Sequence, residues 1–264
     1  MKKMTRVLAL GLATMMLLAL AACGGKDKVG DLTYAVEKGS AGEEIAVEKG
    51  YKYNAVASQA DTLLEVNSGT SDAAIIDLLM AGAMIGEGTS YPDLTYTERL
   101  TEEEYGIGCR KGSDLTDYIN EVLCEAYADG TIAALADQYG IAQDAVLEQP
   151  APSGFTPAAG GDVAYIQGKG TLVVGVTDFA PMDYKNDAGQ WIGFDADLAK
   201  AVAEKLGVKC EFVEIDWDNK LMELDGKTID VVWNGMTLTD EVTNTMNCTN
   251  AYCANAQVVV VRAK

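Results

Sequence analysis

The side chains available for chemistry in this chain are carboxylates, hydroxyls, amines and thiols, because its 264 residues include no histidine. Ser-His-Asp and Cys-His catalysis, imidazole metal ligation and haem attachment all depend on histidine, so these functions are excluded. Acidic residues outnumber basic ones 40 to 20, and the net charge of −20 would repel nucleic-acid phosphates. The carboxylates are spread along the chain without a recognisable acid–base pair. We therefore expect no catalytic residues and no nucleic-acid partner.

The sequence also lacks the motifs that bind common cofactors. Gly226-Lys227-Thr228 resembles the end of a phosphate-binding loop, but Leu221 stands where that loop needs a glycine. Neither the GxGxxG pattern of dinucleotide-binding folds nor the GxSxG pattern of hydrolases occurs. We expect no cofactor.

The cysteines do not form a metal-binding pattern. Of six cysteines, five follow Cys23, so at least one thiol stays free if the others pair. Cys248 and Cys253 could close a small loop disulfide, or both could be buried packing residues. Without histidine and without a second close cysteine pair, no metal site is expected.

The N-terminus has the pattern of an export signal. Lys2, Lys3 and Arg6 precede an apolar run of 16 residues, 7–22, which is shorter than the ~20 residues of a membrane-spanning helix. We therefore predict a signal peptide at 1–22. The ending Leu-Ala-Ala-Cys resembles a bacterial lipobox, which implies cleavage before Cys23, lipid on its sulfur and a tether at 23–30. An uncleaved signal anchor is the alternative.

Strand and helix patterns alternate along the rest of the chain. Apolar runs typical of strands lie at 32–36, 53–56, 72–76, 105–109, 172–176, 210–214, 229–233 and 257–261. Patterns typical of helices lie at 58–66, 115–128, 131–139 and 195–206. Ser40 with Glu43 predicts a capping box at the start of a further helix. Residues 149–161 hold three of the five prolines and predict a linker. Together these patterns predict an α/β fold with parallel sheets in two lobes.

Several segments resemble the polar amino-acid-binding proteins of ABC importers, which have the type II periplasmic-binding-protein fold. GTLVVGVTDFAPMDY (170–184) and GFDADLAK (193–200) resemble the opening of that family, and IDVVWNGMTLTD (229–240) resembles its next ligand loop. Earlier in the chain, AVEKGSAGE (35–43) resembles its second-lobe anion loop and SDAAIID (71–77) its amine-binding strand end. YGIGCRKGS (105–113) resembles the strand that returns to the first lobe. The resemblance implies two lobes, each with a mainly parallel sheet flanked by helices.

The order of these segments is exchanged, which indicates a circular permutation. The resemblance assigns 31–104 to the second lobe, 105–141 to the strand and helices returning to the first lobe, and 169–264 to the first lobe. Residues 142–168 form the linker that joins the family's usual ends. We expect a single covalent crossover near Glu104–Tyr105, with the new termini near the hinge.

The resemblance implies ten ligand-binding residues: Ser40, Ala41, Gly42, Asp77, Asp178, Phe179, Trp217, Asn234, Gly235 and Thr237. Aromatic walls would sandwich the ligand side chain at Phe179 and Trp217, and Asp178 would lie beside that slot. Each position has an alternative. Phe179 and Trp217 could be core residues, Asp77 could cap a helix, and Ser40 and Thr237 could also be caps.

The two ends of an amino acid would be bound by different groups. Asp77 would pair with the ammonium, helped by the backbone of Asn234 and Gly235. Thr237 and the helix amides at 40–42 would bind the carboxylate.

One position departs from the family pattern. Many members carry an arginine after the Thr237 loop that clamps the ligand carboxylate, and here Val242 stands there. Backbone amides with Thr237 could suffice, Lys38 could substitute, or the ligand is not a standard α-amino acid.

The resemblance implies an extracytoplasmic solute-binding protein of an ABC importer, and not an enzyme. It would be a monomer, lipid-anchored to the outer face of the cell membrane, that delivers an amino acid or an analogue to permease subunits. A ligand-sensing module for a partner protein, or a dehydratase-type enzyme on the same fold, are the alternatives.

Overall fold

The computed structural model describes residues 31–263, which form two α/β lobes. Residues 1–30 and Lys264 lie outside the described residues, and with them the predicted signal peptide, the lipidated Cys23 and the tether. Within 31–263, no helix combines the length and apolar character that crossing a bilayer requires.

Strands and helices alternate through the described chain. The first half contains β1 (Thr33–Glu37), α1 (Ala41–Glu48), β2 (Lys52–Val56), α2 (Gln59–Ser68), β3 (Ala73–Asp77), α3 (Leu78–Met84), β4 (Leu94–Arg99), β5 (Glu103–Cys109), α4 (Leu115–Ala128) and α5 (Thr131–Gln138). The second half contains α6 (Asp162–Lys169), β6 (Thr171–Val176), β7 (Tyr184–Lys185), β8 (Trp191–Ile192), α7 (Phe194–Leu206), β9 (Lys209–Glu214), α8 (Lys220–Asp225), β10 (Val231–Thr237), α9 (Asp240–Thr245), β11 (Asn247–Cys248), β12 (Cys253–Asn255) and β13 (Gln257–Arg262).

Each lobe is built on one sheet. The second lobe has the strand order β2-β1-β3-β13-β4, and the first lobe has β11-β5-β10-β6-β9 with β12 also paired to β5. Two neighbouring pairs in each sheet are parallel, and β13 and β5 pair antiparallel with their neighbours. The predicted two-lobed α/β class is confirmed, with sheets that are mixed rather than mainly parallel.

Hydrophobic patterning explains the central elements. All five residues of β3 are buried, as expected for a strand covered on both faces. On α7, Leu198, Val202 and Leu206 are buried along one face, and Gly207 ends the helix with a φ of 74°.

The last strand belongs to the other lobe, contrary to the prediction that 169–264 forms the first lobe alone. β13 pairs with β3 and β4, so its apolar residues complete the core of the second lobe. The chain therefore passes between the lobes twice, at 100–102 and at Ala256. The prediction of a single crossover is wrong, because strand character does not reveal which sheet a strand joins. Both described ends lie beside the start of β3, at the strand ends of the second-lobe sheet that are remote from the cleft, and not at the hinge.

The predicted linker is docked against the first lobe. The N–H groups of Ala158 and Val163 each donate to the Asp114 carboxylate at 3.0 Å. Those of Ser153 and Gly154 donate to Glu121 at 2.9 and 2.8 Å. Helix α6 also lies largely within the segment predicted to be linker, so residues 142–168 are partly helical and tied to α4.

The cysteines after residue 30 are free thiols: Cys109, Cys124, Cys210, Cys248 and Cys253. Cys248 lies opposite Gly108 and Cys253 opposite Tyr105 along β5, which separates the two sulfurs. Of the two alternatives for this pair, the structure contains packing residues and not the loop disulfide.

Candidate functional site

A cleft lies between the lobes, where the carboxyl ends of β1 and β3 face the end of β10. Ligands of open α/β sheets bind at such strand ends. The cavity in the cleft measures about 30 Å³, room for roughly one or two water molecules and far below the ~300–1,000 Å³ of small-molecule pockets. A ligand of amino-acid size can therefore enter only when the lobes separate.

Seven of the ten predicted site residues line this cleft: Ser40, Ala41, Asp77, Trp217, Asn234, Gly235 and Thr237. Gly42 packs α1 onto β3 instead, since a Cβ there would lie 2.9 Å from the carbonyl oxygen of Ile75. Asp178 is exposed outside the lining.

Phe179 occupies the core beneath the cleft, as its alternative interpretation holds. The side chain is 1% exposed and packs edge-on against Tyr105. Gly235 sits directly above it with a φ of 55°, and a Cβ there would approach the Phe179 ring to 2.5 Å. Phe179 therefore shapes the floor of the site through Gly235. Trp217 is 6% exposed and lines the cleft.

Asp77 is a buried carboxylate surrounded by neutral donors. The Tyr105 hydroxyl donates to it at 2.5 Å, and the side-chain amides of Gln59 and Asn255 donate as well. Burial, with Glu103 nearby, raises the pKa of Asp77 to about 7. Asp77 occupies the N-cap position of α3, but its side chain makes no capping hydrogen bond there. Its carboxylate is thus turned to the cleft instead of capping the helix.

Glu37, at the end of β1, is a second buried carboxylate and was not predicted as a site residue. It lines the cleft at 2% exposure, and its Oε1 has no hydrogen-bond partner among the described residues. Burial and the neighbouring Asp77 raise the pKa of Glu37 to about 8. Its position at the carboxyl end of a predicted strand, directly before the Ser40 loop, was the signal that could have identified it.

Lys220 supplies a positive charge in the cleft lining. Its Nζ donates to the carbonyl oxygen of Gly39 at 2.8 Å and to that of Trp217 at 3.3 Å. Burial lowers the pKa of Lys220. Lys38, which could have replaced the missing arginine, pairs with Asp218 at 2.8 Å and lies outside the lining.

Two of the groups expected to bind a ligand carboxylate, the Thr237 hydroxyl and the Ser40 N–H, already donate within the protein. The Thr237 hydroxyl donates to Glu103 Oε2 at 3.1 Å. Ser40 caps α1 by accepting from the Glu43 N–H, and Glu43 accepts from the Gly39 N–H at 2.6 Å. The predicted N-cap at Ser40 is thereby confirmed, whereas the reciprocal bond of the capping box is not formed, because the Ser40 N–H donates to the Glu37 carbonyl at 3.2 Å. Val242 lines the cleft, so an aliphatic side chain stands where an arginine was expected.

Asn234 and Gly235 are held by internal hydrogen bonds. The Asn234 amide donates to the Thr177 hydroxyl at 2.8 Å and accepts from the Thr177 N–H at 3.0 Å. The Gly235 N–H donates to Asp195 at 2.6 Å. These bonds fix Asn234 and Gly235 in the part of β10 where the pairing with β5 is interrupted, between Val232 and Met236. Their carbonyl oxygens are the groups that could accept from a ligand ammonium.

Part of the chain matches a known family. Residues 172–264 match bacterial extracellular solute-binding proteins, family 3. The matched segment includes the first-lobe face of the cleft, with Trp217 and the Asn234–Thr237 loop, and excludes Glu37, Ser40 and Asp77.

Individual relatives match over similarly short stretches. L-cystine-binding protein TcyJ of Escherichia coli (strain K12) is 38% identical over 77 residues, 29% of this chain and 29% of the relative. Arginine-binding extracellular protein ArtP of Bacillus subtilis (strain 168) is 33% identical over 94 residues, 35% of this chain and 36% of ArtP. The chain thus matches about a third of the length of these curated relatives. A crystal structure of the arginine-bound form of domain 1 from TmArgBP is 33% identical, covers 37% of this chain and 84% of that chain, and has a TM-score of 0.33.

Proposed function

We propose that this protein is the extracytoplasmic solute-binding component of an ABC importer. It binds a small amino acid or amino-acid-like ligand between its lobes and delivers it to a membrane permease, without catalysing a reaction. The observation that carries the proposal is the buried pair Glu37 and Asp77, which opens onto an interlobe cleft and lacks a directly bonded cation among the described residues. Such a pair suits a ligand ammonium. The family match of 172–264 and the names of the relatives support the same reading.

Ligand binding would operate by stabilising the closed arrangement of the lobes. Three contacts join the lobes at the rim of the cleft: Lys220 to the Gly39 carbonyl at 2.8 Å, Lys38 to Asp218 at 2.8 Å, and the Thr239 hydroxyl to Glu44 at 3.3 Å. A ligand that bridges both walls adds to these contacts only when the lobes are closed.

The predicted residues that line the cleft contact the ligand. Asp77 and the carbonyl oxygens of the Asn234–Gly235 loop receive the ammonium, and Trp217 packs against the ligand stem. Their place in the lining and the burial of both side chains support these roles.

The chain is further proposed to be a monomeric lipoprotein with permuted halves. Leu-Ala-Ala-Cys23 supports lipidation, and the order of the segments, with those resembling the family's opening at 170–200 after those resembling its second lobe at 35–77, supports the permutation. Cys23→Ser should release the protein from the membrane fraction of a host that processes lipoproteins. Retention of the variant in that fraction would contradict the anchor.

Thermal unfolding of the purified protein against a panel of amino acids and related amines tests the function. A ligand at 100 times its Kd stabilises the folded state by ~2.7 kcal/mol, which for a chain of this size raises Tm by about 5–10 °C. A shift with a few related solutes is expected. A cooperatively unfolding protein that no member of the panel stabilises would contradict the proposal. Co-purification with permease subunits then separates delivery from sensing.

A further inference from the structure

The charge of the cleft lining identifies the class of ligand that it favours. Four carboxyl side chains line it, Glu37, Glu44, Asp77 and Glu241, against one amine, that of Lys220, within the described part of the chain. Resting on the function proposed above, we propose that the ligand is an organic amine and that an α-carboxylate adds nothing to its affinity.

Glu37 marks the position of the ligand cation. Its Oε1 is buried in the cleft wall without a partner among residues 31–263. The neighbouring parallel strand ends at Asp77, whose partners are a phenol and two amides. The Thr177 and Gln59 side chains hydrogen-bond to the Glu37 carboxyl group, but its Oε1 is left without a donor. A buried carboxylate oxygen without a donor is unfavourable, and an ammonium or guanidinium provides both the donor and the opposite charge. The raised pKa values of Glu37 and Asp77 agree with a site that is short of cations.

The opposite end of the site offers few free side-chain donors for a carboxylate. Val242 offers no donor in its side chain, and the Thr237 hydroxyl already donates to Glu103. At the start of α1, the Glu43 carboxylate accepts from the Gly39 N–H, and the Glu43 N–H donates to the Ser40 hydroxyl. The carboxylates of Glu103 and Glu43 thus bind two donors that a ligand carboxylate would otherwise use.

The remaining donors, the amides at the start of α1 and the amine of Lys220, are poorly suited to bind a ligand carboxylate. Ala41 and Gly42 begin α1, but Glu43 and Glu44 lie in the same first turn and oppose an incoming anion. Lys220 directs its Nζ to two carbonyl oxygens, those of Gly39 and Trp217. A ligand carboxylate would therefore have to displace existing bonds and enter a field of its own sign.

Matched pairs of ligands test the inference by calorimetry and thermal unfolding. Each pair joins an amino acid to its decarboxylated amine: arginine and agmatine, lysine and cadaverine, ornithine and putrescine, histidine and histamine. We expect at least one amine to bind with a Kd no weaker than that of its amino acid. An amino acid that binds tenfold or more tightly than its amine overturns the inference and leaves the proposed function standing. Absence of binding by either member of all pairs overturns both.

Two substitutions locate the effect. Glu37→Gln should weaken binding of the amine at least tenfold, and unchanged affinity would overturn the role of Glu37. Val242→Arg should shift the preference toward the amino acid of the pair by tenfold or more, and an unchanged preference would contradict the argument from Val242. Glu48→Gln, on the exposed side of α1, is the matched control and should leave both affinities unchanged. The Tm of each unliganded variant reports whether it folds.

Discussion

Glu37 and Asp77 change protonation state close to neutral pH, and this ties ligand affinity to pH. The pKa is raised to about 8 for Glu37 and to about 7 for Asp77, mainly by burial. The titratable groups that face them are Lys220, Glu103 and the Tyr105 phenol, besides each other, and the side chains of Thr177, Gln59 and Gln257 hydrogen-bond to one or both. Since a cation binds the ionised carboxylates, binding below these pKa values must first release protons.

The affinity for an amine should therefore increase by about tenfold or more between pH 6 and pH 8.5. Calorimetry in buffers of different ionisation enthalpy measures both the affinity and the protons released. The stability of the unliganded protein should change in the opposite direction. Both folded pKa values lie above the unfolded ones, so the folded state binds more protons between about pH 4 and 8 and loses stability as pH rises through that range. An amine affinity that stays constant between pH 6 and pH 8.5 would contradict the assignment of Glu37 and Asp77 as the carboxylates that bind the ligand.

Asp183 is a buried carboxyl group that should lower the stability of the folded state, and substitution should measure this loss. It is fully buried, and neither side-chain oxygen has a partner among the described residues. Burial, followed by the charge of Asp195, raises its pKa well above the ordinary value, with Lys200 and Asp197 also in range. Asp183→Asn should raise Tm at pH 8 and have a smaller effect at pH 4, because only the acid is penalised as pH rises.

The stabilisation at pH 8 comes only from removing the ionisation, because an amide at this position is also without hydrogen-bond partners among the described residues. Asp187→Asn, on the exposed β7–β8 turn, should leave Tm unchanged at both pH values. Equal effects of Asp183→Asn at the two pH values would show that its ionisation is not the cause.

Single residues were predictable where the signal is local. Ser40 is the predicted N-cap of α1 and accepts from the Glu43 N–H, because both partners lie within one turn of the chain. For Glu37 the local signal was its position at the carboxyl end of a predicted strand, but its burial in the interlobe cleft depends on two lobes that the sequence does not bring together. Phe179 belongs to the core because Gly235, remote in sequence, covers it.

At the scale of elements, Arg110 joins α6 to the sheet of the first lobe. Its guanidinium donates to Asp162 at 3.0 Å and to the carbonyl oxygens of Leu224 and Ile229 at 3.2 and 2.9 Å. It also lies 3.6 Å from the buried carboxylate of Asp230. One side chain thus ties the end of the docked segment to α8 and β10.

Arg110→Met should destabilise the protein by about 3–5 kcal/mol, because it leaves two buried or half-buried carboxylates with one partner fewer. Urea unfolding measures this loss. Lys111→Met removes the adjacent, exposed cation and should cost well below ~1 kcal/mol. A loss for Arg110→Met no larger than that of the control would show that the network is dispensable.

Helices with sustained periodicity were predicted nearly to the residue, as with α4 and α7. Strand β4 and helices α3, α8 and α9 were not predicted, because short elements contain too few repeats to define a period. Strand β13 was predicted as a strand but placed in the wrong lobe. Its valines fit the interior of either sheet, and the partner is decided by long-range packing.

At the scale of the whole molecule, the two interlobe crossings lie side by side. The Leu100 N–H donates to the Gln257 carbonyl at 2.7 Å, and the Gln257 N–H donates to the Thr101 hydroxyl at 2.9 Å. This paired hinge contradicts the expectation of a single crossover. We expect the lobes to open by rotation about both segments together.

Closure of the lobes depends on a close approach at Gly39. Its φ is 72°, and a Cβ there would lie 2.7 Å from the Asp218 Cα on the opposite lobe. Gly39→Ala should therefore hold the lobes apart and weaken ligand binding by about tenfold, equivalent to ~1.4 kcal/mol. Isothermal titration measures the affinity, and solution scattering should show a more open ligand-saturated form.

Gly50→Ala is a matched control, because Gly50 has a φ of 66° with no atom within 4 Å of the added Cβ. It introduces similar backbone strain without an interlobe contact and should lower Tm but preserve affinity. If the two variants weaken binding equally, the effect of Gly39→Ala comes from strain and not from blocked closure.

The placement of both described ends in the second lobe has a mechanical consequence. Thr33 and Arg262 flank the start of β3, at the strand ends remote from the cleft. The Thr33 N–H donates to the Asp72 carboxylate, and the Arg262 guanidinium donates to the Val66 carbonyl. A pulling force applied through these ends would load β1, β3 and β13 within that one sheet and would bypass the hinge. A chain attached through these ends would be held by its second lobe, and the first lobe would remain free to rotate about the hinge.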